Sequence, residues 1–377
     1  MKYYIISGEA SGDLHASNLA KYLFANDPQA KIRAWGGDLL RKQGGEVVKD
    51  YKDLAFMGFV EVALNLKTIL NNLDFCKKDI LSYQPDVVIL VDYPGFNLRM
   101  AKFLHKKGIK VFYYISPQVW AWHKSRVKDI KKYVNQMFVI LPFEKDFYAK
   151  HHFSVHYLGH PLLDAVLEYK KNASVSSLAK DLGLQKPIIA ILAGSRKQEI
   201  LRMLPTMLEA SRHLPDYDFV IAGVENHRPL YENLCEGYKV KTVYNQTYHL
   251  LSTSYAAMVT SGTATLETAL FNVPQVVCYK GNFVSYLIAK HLIKGINYIS
   301  LVNLIANKQV VTELIQRDMN LTRLLAEMQL ILGETENRKQ MLDDYSQIHK
   351  NLGNGNASQL IAEKMISFCS SLQNEYL

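Results

Sequence analysis

What most constrains this chain is the rhythm of its apolar runs. Short β-branched or aromatic stretches at residues 3–6, 32–35, 87–91, 111–115, 137–141 and 155–158 recur between helix-compatible segments, and almost every one ends in glycine, a carboxylate or an aromatic. Strands that are apolar along their whole length are buried on both faces, and alternation of such strands with helices predicts a mainly parallel sheet covered on both sides. Ligands of open parallel sheets bind outside the carboxyl ends of the strands, so the loops there are where chemistry is expected.

The rhythm restarts at residues 188–193, 219–222, 240–243, 257–260 and 275–279. With 377 residues, more than one core usually serves, two α/β halves of similar size facing each other are expected. We place the first domain at residues 1–170 and the second at 171–340, with a linker near 169–177. A helical tail over 341–377 packs back on the first domain. Representative helices are expected at 14–26, 66–82 and 98–107, the last stopping at Gly108.

Four cysteines without paired spacing suggest neither a disulfide framework nor a zinc ribbon. The opening residues pass straight into a strand, and no apolar run approaches the ~20 residues of a membrane span. Both features point to a cytoplasmic protein. The net charge of +9 is uneven, with 11 Lys/Arg against 3 Asp/Glu over residues 102–150. Such a face could meet nucleic acid, anionic lipid or a phosphorylated small molecule, or could be solvated surface alone.

Two turns of the second half suit an anion. Gly194-Ser195-Arg196 follows a strand and precedes a helix, which offers backbone N–H groups, close approach and an arginine fork to phosphate oxygens. Ser261-Gly262-Thr263 opens a helix carrying Glu267 one turn in, so a diphosphate over helix N-termini and a ribose held by Glu267 are expected. An ordinary capping arrangement is the plainer reading of each turn. Asp216-Tyr217-Asp218 precedes its strand and is on the wrong side of the sheet for a ligand, so it is rejected as a metal site. Histidine spacing suggests no metal cluster either, and neither a metal nor another cofactor is expected.

The first half carries acids. Asp92 ends an apolar strand beside a glycine loop, where it can receive a proton from a substrate hydroxyl; capping of the following turn is the competing role. Glu9 and Asp13 follow the first strand and are alternative bases. Phe56, Met57, Phe59, Val60 and Val62 form a dense apolar patch that is either core or a segment entering a bilayer interface. The acids weigh against nucleic acid as a partner.

Taken in order, SGEASGD (7–13), MGFVEV (57–62), DYPGFN (92–97), SPQVWAW (116–122), LPFE (141–144), GHPL (159–162), GSR (194–196) and SGTATLE (261–267) resemble the lipid-A-disaccharide synthase family, and the likeness extends to Asn303. The resemblance implies a GT-B-type fold of two Rossmann-like domains with an active-site cleft between them. It implies an inverting transfer from UDP-2,3-diacylglucosamine to 2,3-diacylglucosamine 1-phosphate, forming a β-1,6 linkage. It also implies peripheral attachment to the inner face of the cytoplasmic membrane of a Gram-negative bacterium. Carried over by motif, Asp92, Glu9 and Asp13 are the catalytic candidates. Gly194, Ser195, Arg196, Ser261, Gly262, Thr263, Glu267 and Asn303 are assigned to the UDP donor. Ser11, Gly12, Asn97, Ser116, Gln118, Trp120 and His160 are assigned to the acceptor side, and the patch at 56–62 to the membrane. The chain departs from the family pattern at Leu40, Gly95, Ala193 and Val302. Homo-oligomerisation is left open, and a UDP-sugar epimerase or a non-catalytic membrane-surface protein are the competing functions.

Overall fold

The computed structural model describes residues 1–54, 66–120, 125–172, 178–281 and 297–373. The apolar patch at 56–62, part of the 169–177 linker and Trp122 lie outside them. The chain divides into two compact units, residues 1–161 with 353–377, and residues 162–352.

The first unit runs β1 (Lys2–Ser7), α1 (Ala10–Asn26), β2 (Lys31–Gly36), α2 (Asp38–Lys42), β3 (Glu46–Asp50), a 3-10 turn (Tyr51–Leu54), α3 (Leu66–Tyr83), β4 (Val87–Val91), α4 (Pro94–Lys106), β5 (Val111–Tyr114), α5 (Arg126–Tyr133), β6 (Gln136–Val139), α6 (Pro142–Ala149) and β7 (His156–Tyr157). The strands pair in parallel in the order β3-β2-β1-β4-β5-β6-β7. Because side chains alternate across a strand, this sheet has two cores. Tyr4, Ile6, Val88, Leu90, Tyr113 and Met137 pack with residues of α3, α4 and α5 on one face. Tyr3, Ile5, Ile89, Phe112 and Phe138 pack with α1 on the other.

The second unit continues with α7 (Pro161–Asn172), α8 (Leu178–Asp181), β8 (Ile188–Leu192), α9 (Lys197–Arg212), β9 (Asp218–Gly223), α10 (Arg228–Leu234), β10 (Val240–Tyr244), α11 (Thr247–Thr253), β11 (Ser254–Thr260), α12 (Thr263–Leu270), β12 (Gln275–Tyr279), α13 (Leu301–Ala306), β13 (Glu313–Ile315), α14 (Leu321–Ile331) and α15 (Glu336–Asn351). Its parallel sheet has the order β10-β9-β8-β11-β12-β13. The final helix, α16 (Ala357–Gln373), returns to the first unit, where Ile361, Ala362, Met365 and Cys369 enter the α1 face of the core.

Several boundaries differ from the sequence expectation for local reasons. Pro94 starts α4 four residues early because a proline at the first helical position has no N–H to leave unpaired. Residues 10–13 form the first turn of α1 rather than a loop, and Gly12 lies against Ser7, whose Cβ would sit 3.1 Å from an added methyl. Residues 169–172 of the expected linker are helix, the end of α7. No described helix is long and apolar enough to cross a membrane.

The order of each sheet reverses once, between β1 and β4 in the first unit and between β8 and β11 in the second. These are the switch points where a crevice opens beyond the strand ends. Met365 is fully buried in the α1 face of the core. Met365→Ala is therefore expected to destabilise the first unit by about 2–5 kcal/mol, read from its urea transition. An unchanged midpoint would mean that α16 is not part of that core.

Candidate functional site

At the first switch point, β1 ends at Ser7, two residues before Glu9, and Asp92 follows the end of β4. Asp92 and Tyr93 both have left-handed backbones, with φ of +47° and +50°. Residues other than glycine in that region cost about 1–3 kcal/mol each and persist only where surroundings hold them. The holding groups are visible. Asn97 Nδ2 donates to the carbonyl of Asp92 at 2.8 Å and to that of Val91 at 3.3 Å, and the Tyr113 hydroxyl donates to the Asp92 carbonyl at 2.6 Å. The Tyr93 ring covers Gly8 so closely that a Cβ there would lie 2.4 Å from it. Its other neighbour is Phe96, stacked at 5.5 Å, which in turn packs on Trp35 at 5.1 Å.

The turn presents the Asp92 carboxylate half-buried and near Glu9. Burial, with the Glu9 charge adding to it, pushes its pKa up to about 6, against one opposing hydrogen bond from the Tyr93 N–H. Glu9 is half-buried at the N-cap of α1 and makes no capping hydrogen bond. Asp13 is different. Its carboxylate is 2% exposed and accepts from Gly37 N at 2.7 Å and Leu39 N at 3.1 Å, which caps the start of α2.

The other expected acceptor-side residues scatter by role. Ser11 is exposed, Gly12 is packed on β1 and Asn97 is spent on the backbone of the Asp92 turn. Ser116 is buried with its hydroxyl 2.7 Å from that of Tyr148, Gln118 is exposed, and Trp120 meets Phe143 edge-on at 5.0 Å. His160 is buried, and its pKa falls to about 3 through desolvation and the nearby His15. It is a neutral imidazole at physiological pH.

At the second switch point, β8 leads into Gly194-Ser195-Arg196 and β11 into Ser261-Gly262-Thr263. Gly194 has φ of +101°, and a Cβ there would meet a Glu199 oxygen at 2.5 Å. Glu199 belongs to this turn although none of the motifs includes it. Its carboxylate accepts from Ser195 N at 3.2 Å and Arg196 N at 3.3 Å, and lies 3.6 Å from the Arg196 guanidinium. The signal for it in the sequence is an acid three residues into a helix after its cap. Arg196 is otherwise exposed. Glu267 is half-buried and accepts from the Tyr248 hydroxyl at 2.9 Å, and burial raises its pKa. Ser261 donates to the Ile299 carbonyl at 3.1 Å, while Thr263 is exposed.

Asn303 is fully buried and uses all of its hydrogen-bonding capacity. Nδ2 donates to Val311 O and Glu313, and Oδ1 accepts from Val310 N and Val311 N. Asp218 accepts from Gln185 N and Lys186 N at the amino end of β9. Among the described residues, no group of three or more His, Cys, Asp or Glu could hold a metal ion.

Two doubly wound units with their switch points so furnished are of the GT-B type. Known structures share the fold: UDP-GlcNAc 2-epimerase from Neisseria meningitidis bound to UDP-GlcNAc matches with a TM-score of 0.69 at 15% identity, over 97% of this chain and 100% of that one. The S. aureus MnaA–UDP co-structure matches with a TM-score of 0.70 at 13% identity, over 98% and 97%. The sequence is more specific. The lipid-A-disaccharide synthetase family model matches residues 3–365. The lipid-A-disaccharide synthase of Syntrophus aciditrophicus is 40% identical over 95% of both chains, and that of Coxiella burnetii 35% identical over 95% of this chain and 96% of its own. This chain belongs to the lipid-A-disaccharide synthase family, and is a glycosyltransferase of lipid A biosynthesis.

The pairing of Glu9 with Asp92 generates a prediction. A like charge beside a half-buried carboxylate raises its pKa, so Glu9→Gln is expected to move the Asp92 titration below about 6. Carboxyl ¹³C NMR across pH 3–8 reads this directly, and an unmoved titration would separate the two groups.

Proposed function

We propose that this enzyme transfers 2,3-diacylglucosamine from its UDP derivative to the 6-hydroxyl of 2,3-diacylglucosamine 1-phosphate, with inversion, to give a β-1,6 disaccharide and UDP. The observation that carries the reading is Asp92: a half-buried carboxylate at a switch point, held by a strained turn, with a pKa of about 6. It is ionised at neutral pH yet basic enough to accept a proton.

In this scheme the acceptor's hydroxyl oxygen attacks the anomeric carbon from the face opposite UDP. Asp92 takes the hydroxyl proton, the new C–O bond forms, and the bond to the diphosphate oxygen breaks with its electron pair leaving on UDP. Arg196 and the N–H groups around it stabilise the charge that develops on the diphosphate. Glu199 now accepts from those N–H groups, so the diphosphate must share or displace it. Glu267 has one oxygen engaged by Tyr248 and a second for ribose hydroxyls.

Glu9 is the alternative base and the nearest modulator of Asp92. Asp13 is the weaker alternative, because its carboxylate already receives two helix N–H groups. An epimerase shares the fold, but the likeness to epimerases stands at 13–15% identity against 35–40% for the disaccharide synthases.

Incubating the purified chain with the two lipid substrates and identifying the product tests reaction and linkage together. Asp92→Asn is expected to lower kcat by about 10²- to 10⁴-fold with donor affinity little changed. Arg196→Ala is expected to weaken UDP binding by about 1.5–3 kcal/mol in calorimetry, the range for hydrogen bonds to charged groups. Near-normal turnover in Asp92→Asn, with loss in Glu9→Gln, would pass the base role to Glu9.

The enzyme works, in this reading, as a peripheral protein at the inner face of the cytoplasmic membrane. Residues 56–62 supply apolar insertion and the basic stretch over 102–150 supplies attraction to anionic lipid. Replacing Phe59 and Val60 together by serine is expected to reduce sedimentation with anionic vesicles while circular dichroism stays unchanged. Equal sedimentation would make the patch part of the core.

A further inference from the structure

The segment leaving β5 adopts a backbone that its own residues do not favour. Ile115 is β-branched and has φ of +66°, and further along Val119 N folds back onto the Pro117 carbonyl. Such a segment keeps its shape only if something beneath it is rigid.

Packed against it is α6, whose first turn carries Glu144 with 1% of its surface exposed. Its Oε2 accepts from Leu141 N at 3.0 Å and Ile140 N at 3.3 Å. Its helix meets the loop at two places: the Phe143 ring lies edge-on to the half-buried Trp120 at 5.0 Å, and Tyr148 reaches Ser116, whose Oγ is 2.9 Å from the Pro117 carbonyl. Ser116 Oγ is in turn 2.7 Å from the hydroxyl of Tyr148, itself fully buried. A helix start is equally well capped by an exposed serine or aspartate, so capping alone does not account for burying an ionisable group. The buried Tyr113 hydroxyl, which donates to the Asp92 carbonyl at 2.6 Å, belongs to the strand from which this loop leaves.

We propose that Glu144 is a positioning residue of the transfer reaction: by holding the start of α6, whose Phe143 and Tyr148 contact Trp120 and Ser116, it fixes the 115–120 loop in the shape that receives the acceptor sugar. This rests on reading that loop as part of the acceptor site. The carboxylate touches no substrate and acts only through the loop it holds.

The test is steady-state kinetics of the full chain with both lipid substrates, beside amide exchange of the substrate-free protein followed by mass spectrometry. Glu144→Ala and Ser116→Ala are expected to raise the acceptor KM by about tenfold, with donor KM and kcat within about threefold of wild type. Glu144→Gln, whose amide oxygen still accepts the two N–H groups, restores most of the acceptor KM. An unchanged acceptor KM in both alanine variants, or an equal rise in donor KM, overturns the proposal. If Glu144→Ala does not fold, Ser116→Ala and Tyr148→Phe carry the same decision. If the wild-type chain makes no disaccharide, the reading of the reaction fails first and exchange decides alone. Faster exchange confined to 115–120 then supports the proposal, and unchanged exchange overturns it.

Discussion

The first unit is organised around the left-handed turn at Asp92 and Tyr93. Two consecutive residues other than glycine at positive φ are unfavourable, and the surroundings are arranged to make any other conformation worse. Asn97 and Tyr113 satisfy the turn's carbonyls, and Gly8 leaves room for the Tyr93 ring. The ring then continues the aromatic stack of Phe96 and Trp35 into the core. Strain in the turn is therefore offset by burial behind it. The result is a backbone at Asp92 whose conformation is set by its surroundings rather than by its own preference.

The two units repeat one topology with opposite electrostatics. Beyond the β1/β4 switch stand Glu9 and Asp92, two acids close enough to raise the pKa of one. Beyond the β8/β11 switch stands Arg196 over a helix start. An exposed guanidinium and helix N–H groups attract anions, and here the chain supplies its own in Glu199. That internal anion holds the turn together without substrate. In the proposed scheme its position is the one a diphosphate oxygen contests.

Much of this architecture is legible in the order of residues alone. Fully apolar runs such as 87–91 and 188–192 are buried strands because nothing else buries every side chain, and the loops at their ends carry the chemistry-bearing residues. Helix starts are less legible. Ser11-Gly12-Asp13 reads as a loop by composition, yet tertiary packing on Ser7 carries α1 through it. Roles within the site are least legible of all. Tyr248 is 19 residues from Glu267, and Tyr113 is 21 residues from Asp92, so neither partnership leaves a local trace. Asn303 fits a ligand site by motif, but its amide is saturated by the turn at 310–311 and by Glu313.

Hydrogen-bond accounting separates the carboxylates, which look alike in sequence. Asp13 is occupied by Gly37 and Leu39, Glu144 by Ile140 and Leu141, Glu199 by Ser195 and Arg196, and Glu313 by Ile299 and Ser300. Each accepts two backbone N–H groups and is thereby committed to holding its own turn. Asp92 receives one such bond, from Tyr93, and Glu9 makes none at its cap. In a fold where acids at strand ends are mostly employed as helix caps, Asp92 and Glu9 are the two of these carboxylates not committed to a pair of backbone N–H groups. That difference is a reason, apart from the DYPGFN motif, for proposing Asp92, or its neighbour Glu9, as the base.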